Sequence, residues 1–192
     1  LFYDFAPPSP PPGDWKFNGV PFLVAGDNGK TDLALIGSPV QSKRYQRAVE
    51  CANSMEIPLK GKACALYFLH TAYWTEGCEP VALYRLHYQG ADPVEIPIIP
   101  HGLDSKKRIT EKDCSPEVNI QDWYSRYPVV STKILRPVLL YNTHVMCSRP
   151  GYVYVYRFEN PYPQVPLKTI EILANKNSSA LLLLYGITLA KY

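Results

Sequence analysis

The sequence has little that would support long helices, a membrane span or a known catalytic motif. Of its 192 residues, 19 are proline, about twice the usual share, and proline interrupts helices. No apolar run reaches the roughly 18 residues that a spanning helix needs, and the longest, 180–190, contains Gly186 and Thr188. The motifs G-x-S-x-G, H-E-x-x-H, the phosphate-binding G-x-x-x-x-G-K and the dinucleotide fingerprint are all absent. The sequence therefore predicts no membrane span and gives catalysis no support.

Strong charge and paired cysteines are also missing. Lysine and arginine number 20 against 17 aspartates and glutamates, a surplus too small to predict nucleic acid as a partner. The five cysteines are odd in number and include no C-x-x-C pair or zinc-like spacing. Cys64 is predicted to be a small buried hydrophobe within a strand. At this length the fold should not depend on a disulfide.

The length of the chain predicts one domain over residues 1–192. Its first 16 residues contain the only low-complexity patch, which is rich in proline and predicts an extended arm or edge segment. The chain begins at Leu1 without a basic-then-apolar leader. We therefore expect it to be processed, or excised from a larger protein.

Strand-like segments dominate the sequence. In 81–90, for example, Tyr84 and Leu86 share one face of an alternating pattern, while Arg85 and His87 share the other. No segment between the strands keeps a helical period for three turns, so parallel strands joined by helices are not expected. The pattern predicts an all-β fold, an antiparallel β-sandwich or jelly roll with at most short helical turns. The predicted strands lie within 64–74, 81–90, 94–100, 137–146, 152–160, 167–175 and 180–190.

Several separated pieces together resemble a known family. They include FNGVPF at 17–22, IPLKGKACALYFLHTAYW at 57–74, YRLHYQG at 84–90, IPI at 96–98, DWY at 122–124, RFENPYPQVPLKTIEIL at 157–173 and LYGITL at 184–189. The set resembles the galactose-binding-like β-sandwich modules that accompany glycoside hydrolases and other polysaccharide-processing proteins. The resemblance implies a jelly-roll domain that is usually non-catalytic, often binds carbohydrate through its loops and sometimes holds a structural calcium ion.

Two short segments combine the side chains that a sugar site needs. Sugar C–H faces stack on aromatic rings, and sugar hydroxyls need directional donors and acceptors. Both kinds of group occur at the end of the strand in 64–74 and in the segment 121–127. The candidate ligand-binding residues are His70, Tyr73, Trp74, Asp122, Trp123, Tyr124, Arg126 and Tyr127.

Structural alternatives stay open for several aromatic residues. Trp74 follows a core strand, where tryptophan often covers the end of the core, and His70 lies on an apolar strand face, where a hydrogen-bonded core histidine is common. Trp123 is open to both interpretations. Trp15 is expected to attach the proline-rich arm to a sheet, and Asn160 to bond local backbone at a proline-rich corner.

A calcium site is the one cofactor that we consider. Asp27, Asn28 and Asp32 lie near two glycines, and Ca²⁺ prefers several oxygen ligands from a flexible loop. The spacing is not that of an EF-hand, because the terminal glutamate is missing. A plain turn is the alternative.

The sequence thus predicts a non-catalytic module that binds a poly- or oligosaccharide beside a neighbouring catalytic domain of a larger bacterial protein. We expect a secreted, periplasmic or cell-surface location. A first alternative is a hydrolase or lyase acting on a polysaccharide, with its acid and base among Asp122, Glu159, His70 and His87. A second is a structural docking module, which needs about 800 Å² of interface per partner.

Overall fold

The structure is a computed structural model that describes residues 10–27, 30–31, 34–37, 51–75, 77, 79–101, 118–121, 134–140 and 151–191. Within these ranges the chain forms strands and no helix. The strands are β1 (Gly13–Phe17), β2 (Val20–Val24), β3 (Gly26–Asp27), β4 (Lys30–Thr31), β5 (Ala34–Ile36), β6 (Ser54–Gly61), β7 (Ala65–Tyr73), β8 (Ala82–Tyr88), β9 (Val94–Ile98), β10 (Pro100–His101), β11 (Ile120–Gln121), β12 (Ile134–Leu140), β13 (Gly151–Glu159), β14 (Leu167–Ala174) and β15 (Leu181–Ala190).

Two antiparallel sheets form a β-sandwich, which confirms the predicted all-β class. One sheet has the order β12-β13-β7-β15-β5 and the other has the order β6-β14-β8-β9. Their facing sides share one apolar core, because alternate residues of each strand point inward. Phe68 and Leu182 enter this core from the five-stranded sheet, whereas Leu86, Ile170 and Ile172 enter it from the four-stranded sheet.

The β1–β2 hairpin covers the outer face of the five-stranded sheet. Asn18 and Gly19 form its two-residue turn with φ angles of 51° and 84°, the positive values that asparagine and glycine tolerate best in tight hairpins. Phe17 and Phe22 then pack in one cluster with side chains of that outer face, among them Leu183. The last four residues of the predicted arm, 13–16, belong to this hairpin.

Trp15 lies on the hairpin and contacts the segment before it. Its indole Nε1 donates a hydrogen bond to the Pro11 carbonyl at 2.7 Å, and its ring stacks on that of Phe17 at 5.7 Å. Because Phe17 is buried against the five-stranded sheet, Trp15 attaches the proline-rich segment to the sheet as expected.

The structure also tests the predictions made for Asn160 and Cys64. Asn160 is buried and its Oδ1 accepts hydrogen bonds from the Tyr162 amide and the Tyr88 hydroxyl, which confirms its structural role. Cys64 lies one residue before β7 and is half-buried, with its Sγ 3.4 Å from the Ala190 carbonyl. The prediction of a buried cysteine within the strand was therefore wrong, because β7 begins at Ala65.

Candidate functional site

Strand β7 contains two of the predicted ligand-binding residues, His70 and Tyr73, and a third, Trp74, follows it directly. Tyr73, its last residue, is buried in the apolar cluster beneath the β1–β2 hairpin. Trp74 follows directly, is half-buried against the same cluster, and has its ring 5.4 Å from that of Tyr73. The strand thus ends in an aromatic pair of which only Trp74 keeps substantial exposure.

Trp74 has a backbone conformation that bulky residues rarely adopt. Its φ is 54°, in the left-handed region where the Cβ crowds the following carbonyl at a cost of about 1–2 kcal/mol. Such outliers persist only where surrounding packing enforces them, and they cluster at binding and active sites. The predicted contact of Trp74 with the core is confirmed. That contact does not by itself require the positive φ of Trp74.

His70 lies on the inner face of the same strand and is fully buried. Its Nδ1 is 3.0 Å from the Tyr84 hydroxyl of β8, and its Nε2 is 3.1 Å from the backbone carbonyl of Asn119. The ring stacks on that of Tyr156 in β13 at 6.0 Å with the planes 5° apart. The alternative of a hydrogen-bonded core histidine is confirmed, so His70 can affect a ligand only through the groups that it holds.

The two partners of His70 fix its tautomer. A carbonyl oxygen only accepts hydrogen bonds, so Nε2 carries the proton and donates to Asn119. Nδ1 is then the acceptor and the Tyr84 hydroxyl donates to it. Burial lowers the pKa of His70 to about 3, against the opposing effect of the Asn119 hydrogen bond. Burial, with a contribution from Tyr156, raises the pKa of Tyr84 well above its ordinary value. The pair is therefore neutral.

Asn119 connects His70 to β9, the edge strand of the four-stranded sheet, and to Ile99, which follows β9. Its Nδ2 donates to the Pro97 carbonyl at 2.8 Å and its Oδ1 accepts from the Ile99 amide at 2.9 Å. Its own amide donates to the Ile99 carbonyl at 3.0 Å. Just beyond it, β11 pairs in parallel with β10. Asn119 and Tyr84 were not predicted as site residues, because neither their spacing nor a motif indicates that His70 joins them.

The second predicted segment begins immediately after this anchored strand. Gln121 ends β11 and precedes the candidate residues in the sequence. The residues Asp122, Trp123, Tyr124, Arg126 and Tyr127 lie outside the described residues, and their role in binding stays a prediction. The structure nevertheless brings the residues that lead into this segment to His70, four residues before Trp74.

The calcium prediction also stays a prediction. The backbone of Asp27 belongs to β3, which pairs with β4, whereas Asn28 and Asp32 lie outside the described residues. In the described part of the chain, no group of three or more histidine, cysteine, aspartate or glutamate side chains is arranged to hold a metal ion.

The described acid and base candidates lie in different environments. His70 is in the sandwich interior, whereas His87 lies on the outer face of the four-stranded sheet, 3.6 Å from a carboxylate oxygen of Glu171. Glu159 ends β13 with an exposed side chain and pairs with Arg157 at 2.6 Å. The buried His70 therefore does not share a surface with His87 or with the exposed Glu159.

The comparisons with known proteins identify no family. No protein-family model matches the chain, and neither a curated protein nor a solved structure matches it significantly. In the ranges that the structure describes, no helix is long and apolar enough to cross a membrane.

Proposed function

We propose that this chain is a non-catalytic, galactose-binding-like jelly-roll module that binds carbohydrate through aromatic side chains at the end of β7. The observation that carries the proposal is the conformation of Trp74. This half-buried indole follows a core strand on a left-handed backbone with a φ of 54°. A core cap alone does not need that conformation, and strained residues of this kind cluster at binding sites.

The chemistry of a sugar matches what surrounds this position. An indole offers a flat apolar surface for sugar C–H groups, and a buried Tyr73 ring beside it restrains its orientation. Polar partners for sugar hydroxyls would come from Asp122, Arg126 and Tyr127, with Trp123 as a second stacking ring. These residues follow β11, which the His70–Asn119 hydrogen bond ties to the same strand.

The first experiment is a binding screen with the purified chain against soluble galactan, xylan, pectin and β-glucan. Trp74→Gly is the informative variant, because glycine adopts positive φ without strain and the fold should survive. We expect Trp74→Gly and Trp123→Ala each to weaken binding roughly tenfold, the effect of losing one central aromatic contact.

Tyr162→Ala provides the matched control. Tyr162 is also a partly exposed aromatic residue, 37% exposed, but it lies at the Asn160 corner, which bonds to Ala63 just before the start of β7. Its removal should leave binding unchanged. Equal affinity of all three variants, or no binding of any polysaccharide by the folded chain, would overturn the proposal and favour the docking alternative.

A further inference from the structure

Two segments connect the sheets at the end of the sandwich where β7 ends. Residues 74–81 lead from β7 to β8, and residues 175–180 lead back from β14 to β15. At the five-stranded sheet the two segments meet, because Leu181 pairs with Tyr73. Trp74 follows Tyr73 directly and packs in the outer apolar cluster that also contains Leu181. The end of 175–180 therefore lies beside the start of 74–81.

Asn175 joins the same two segments at the four-stranded sheet. Its backbone amide donates to the Val81 carbonyl at 3.1 Å, and its Nδ2 donates to the Pro80 carbonyl at 2.6 Å. Its Oδ1 accepts a hydrogen bond from the backbone amide of Asn177 at 3.0 Å, which shapes the turn. The segments are thus held together at both ends, so their exposed side chains belong to one end surface of the sandwich.

The segment 175–180 brings polar side chains to the surface that carries Trp74. Asn177 is exposed, and the turn is closed by its backbone amide rather than by its side chain. Ser179 is half-buried, two residues before β15 begins. A side-chain amide offers a donor and an acceptor, and a hydroxyl can act as either. The turn therefore has the directional groups that sugar hydroxyls need beside a stacking ring.

The exposed charges described in these two segments are balanced. Glu79 and Lys176 are both exposed and are opposite in sign. Together they give no net attraction to an anionic polysaccharide such as pectin. The amide and hydroxyl groups of the turn suit a glycan whose polar groups are neutral hydroxyls.

We infer that Asn177 and Ser179 form the polar part of the carbohydrate site at Trp74, and that this site takes a neutral glycan. The inference rests on the proposed function, which supplies the stacking ring. It adds two binding residues whose segment is joined to the β7–β8 connection by observed contacts.

Titration with galactan, xylan, β-glucan and pectin tests the inference. Asn177→Ala and Ser179→Ala should each weaken binding of the neutral glycan about three- to tenfold, the effect of one lost hydrogen bond. Gln164→Ala is the matched control and should leave binding unchanged. Gln164 is also an exposed amide, but it lies at the Asn160 corner, which bonds to Ala63 just before the start of β7. Tighter binding of pectin than of any neutral glycan would overturn the choice of ligand.

NMR tests the same contact without removing a side chain. A saturating neutral glycan should shift the ¹H–¹⁵N signals of the Asn177 side-chain amide and the Trp74 indole, while the Gln164 side-chain amide stays in place. If Trp74→Gly weakens binding but neither turn variant does, and the Asn177 signal does not move, this inference is wrong and the proposed function stands. If the folded wild type binds none of the four polysaccharides, the proposed function fails and this inference fails with it.

Discussion

The two sheets of the sandwich differ in how many of their faces are covered. Strand β8 of the four-stranded sheet alternates strictly between buried and half-buried residues, whereas β7 of the five-stranded sheet is buried at every residue except Tyr67. The outer face of the four-stranded sheet carries Arg85 and Glu171, while that of the five-stranded sheet is covered by the β1–β2 hairpin. The burial patterns of β7 and β8 therefore differ because the five-stranded sheet is covered on both faces, whereas the four-stranded sheet is covered on one.

The largest expected effect comes from weakening the cover. Phe22 is buried beneath the hairpin, 3% exposed, whereas its neighbour Leu23 points outward and is 72% exposed. Phe22→Ala should lower the free energy of unfolding by about 3–5 kcal/mol through the cavity that it leaves. Leu23→Ala should change it by less than about 0.5 kcal/mol. Urea denaturation measures both, and similar losses in the two variants would mean that the hairpin does not cover the sheet.

A smaller change in the free energy of unfolding is expected when the pH is lowered. This change distinguishes His70 in the interior from His87 on the outer face of the four-stranded sheet. His70 has a pKa of about 3 when folded and about 6.5 when unfolded, so the unfolded chain binds the extra proton between these values. The stability due to neutral His70 is complete above about pH 6.5 and is lost as pH falls towards 3.

Between pH 6.5 and 4.5 this loss amounts to about 2–3 kcal/mol. Denaturation of wild type and His70→Gln across that range should show a steeper decline in the wild type by this amount. His87→Gln, on the outer face of the other sheet, should leave the wild-type decline in place. Identical pH profiles for wild type and His70→Gln would show that His70 is not a buried neutral base.

The smallest effect is expected on the outer face of the four-stranded sheet. Arg85 lies 2.8 Å from Glu95 and 2.9 Å from Glu171, and Glu56 lies opposite Glu171 in the register. Arg85→Gln should destabilise the fold slightly at low salt, because the carboxylates lose their shared cation, and the loss should shrink at high salt. Thermal melts at two ionic strengths test this. A loss as large as that of Phe22→Ala would show that this face is covered too.

The strands of the sandwich could be predicted in part from local pattern. The alternation in 81–90 and the apolar runs in 64–74 and 180–190 correspond to β8, β7 and β15. Strand β6 was not predicted, although Met55, Ile57 and Leu59 alternate with exposed residues along it. Pro58 within this run counts against a strand, and β6 tolerates it at the edge of its sheet. The hairpin turn at Asn18 and Gly19 has a local signal, but which surface the hairpin covers has none.

The candidate site, like the fold, could be predicted only in part from the sequence. Trp74 and His70 could be identified as a residue at the end of a core strand and as a polar ring on an apolar face. That His70 bonds to Tyr84 and Asn119 could not be predicted, since those contacts depend on how two sheets and β11 meet in space. The positive φ of Trp74 had no local signal either, because tryptophan does not favour it.

The sequence by itself determined the class of fold and the direction in which most core side chains point, because both follow from the two-residue repeat of an extended chain. Only the tertiary structure decided which sheet face is covered and where His70 finds its partners. These properties depend on contacts between segments far apart in the chain, such as the 49 residues between His70 and Asn119, and no local pattern encodes them.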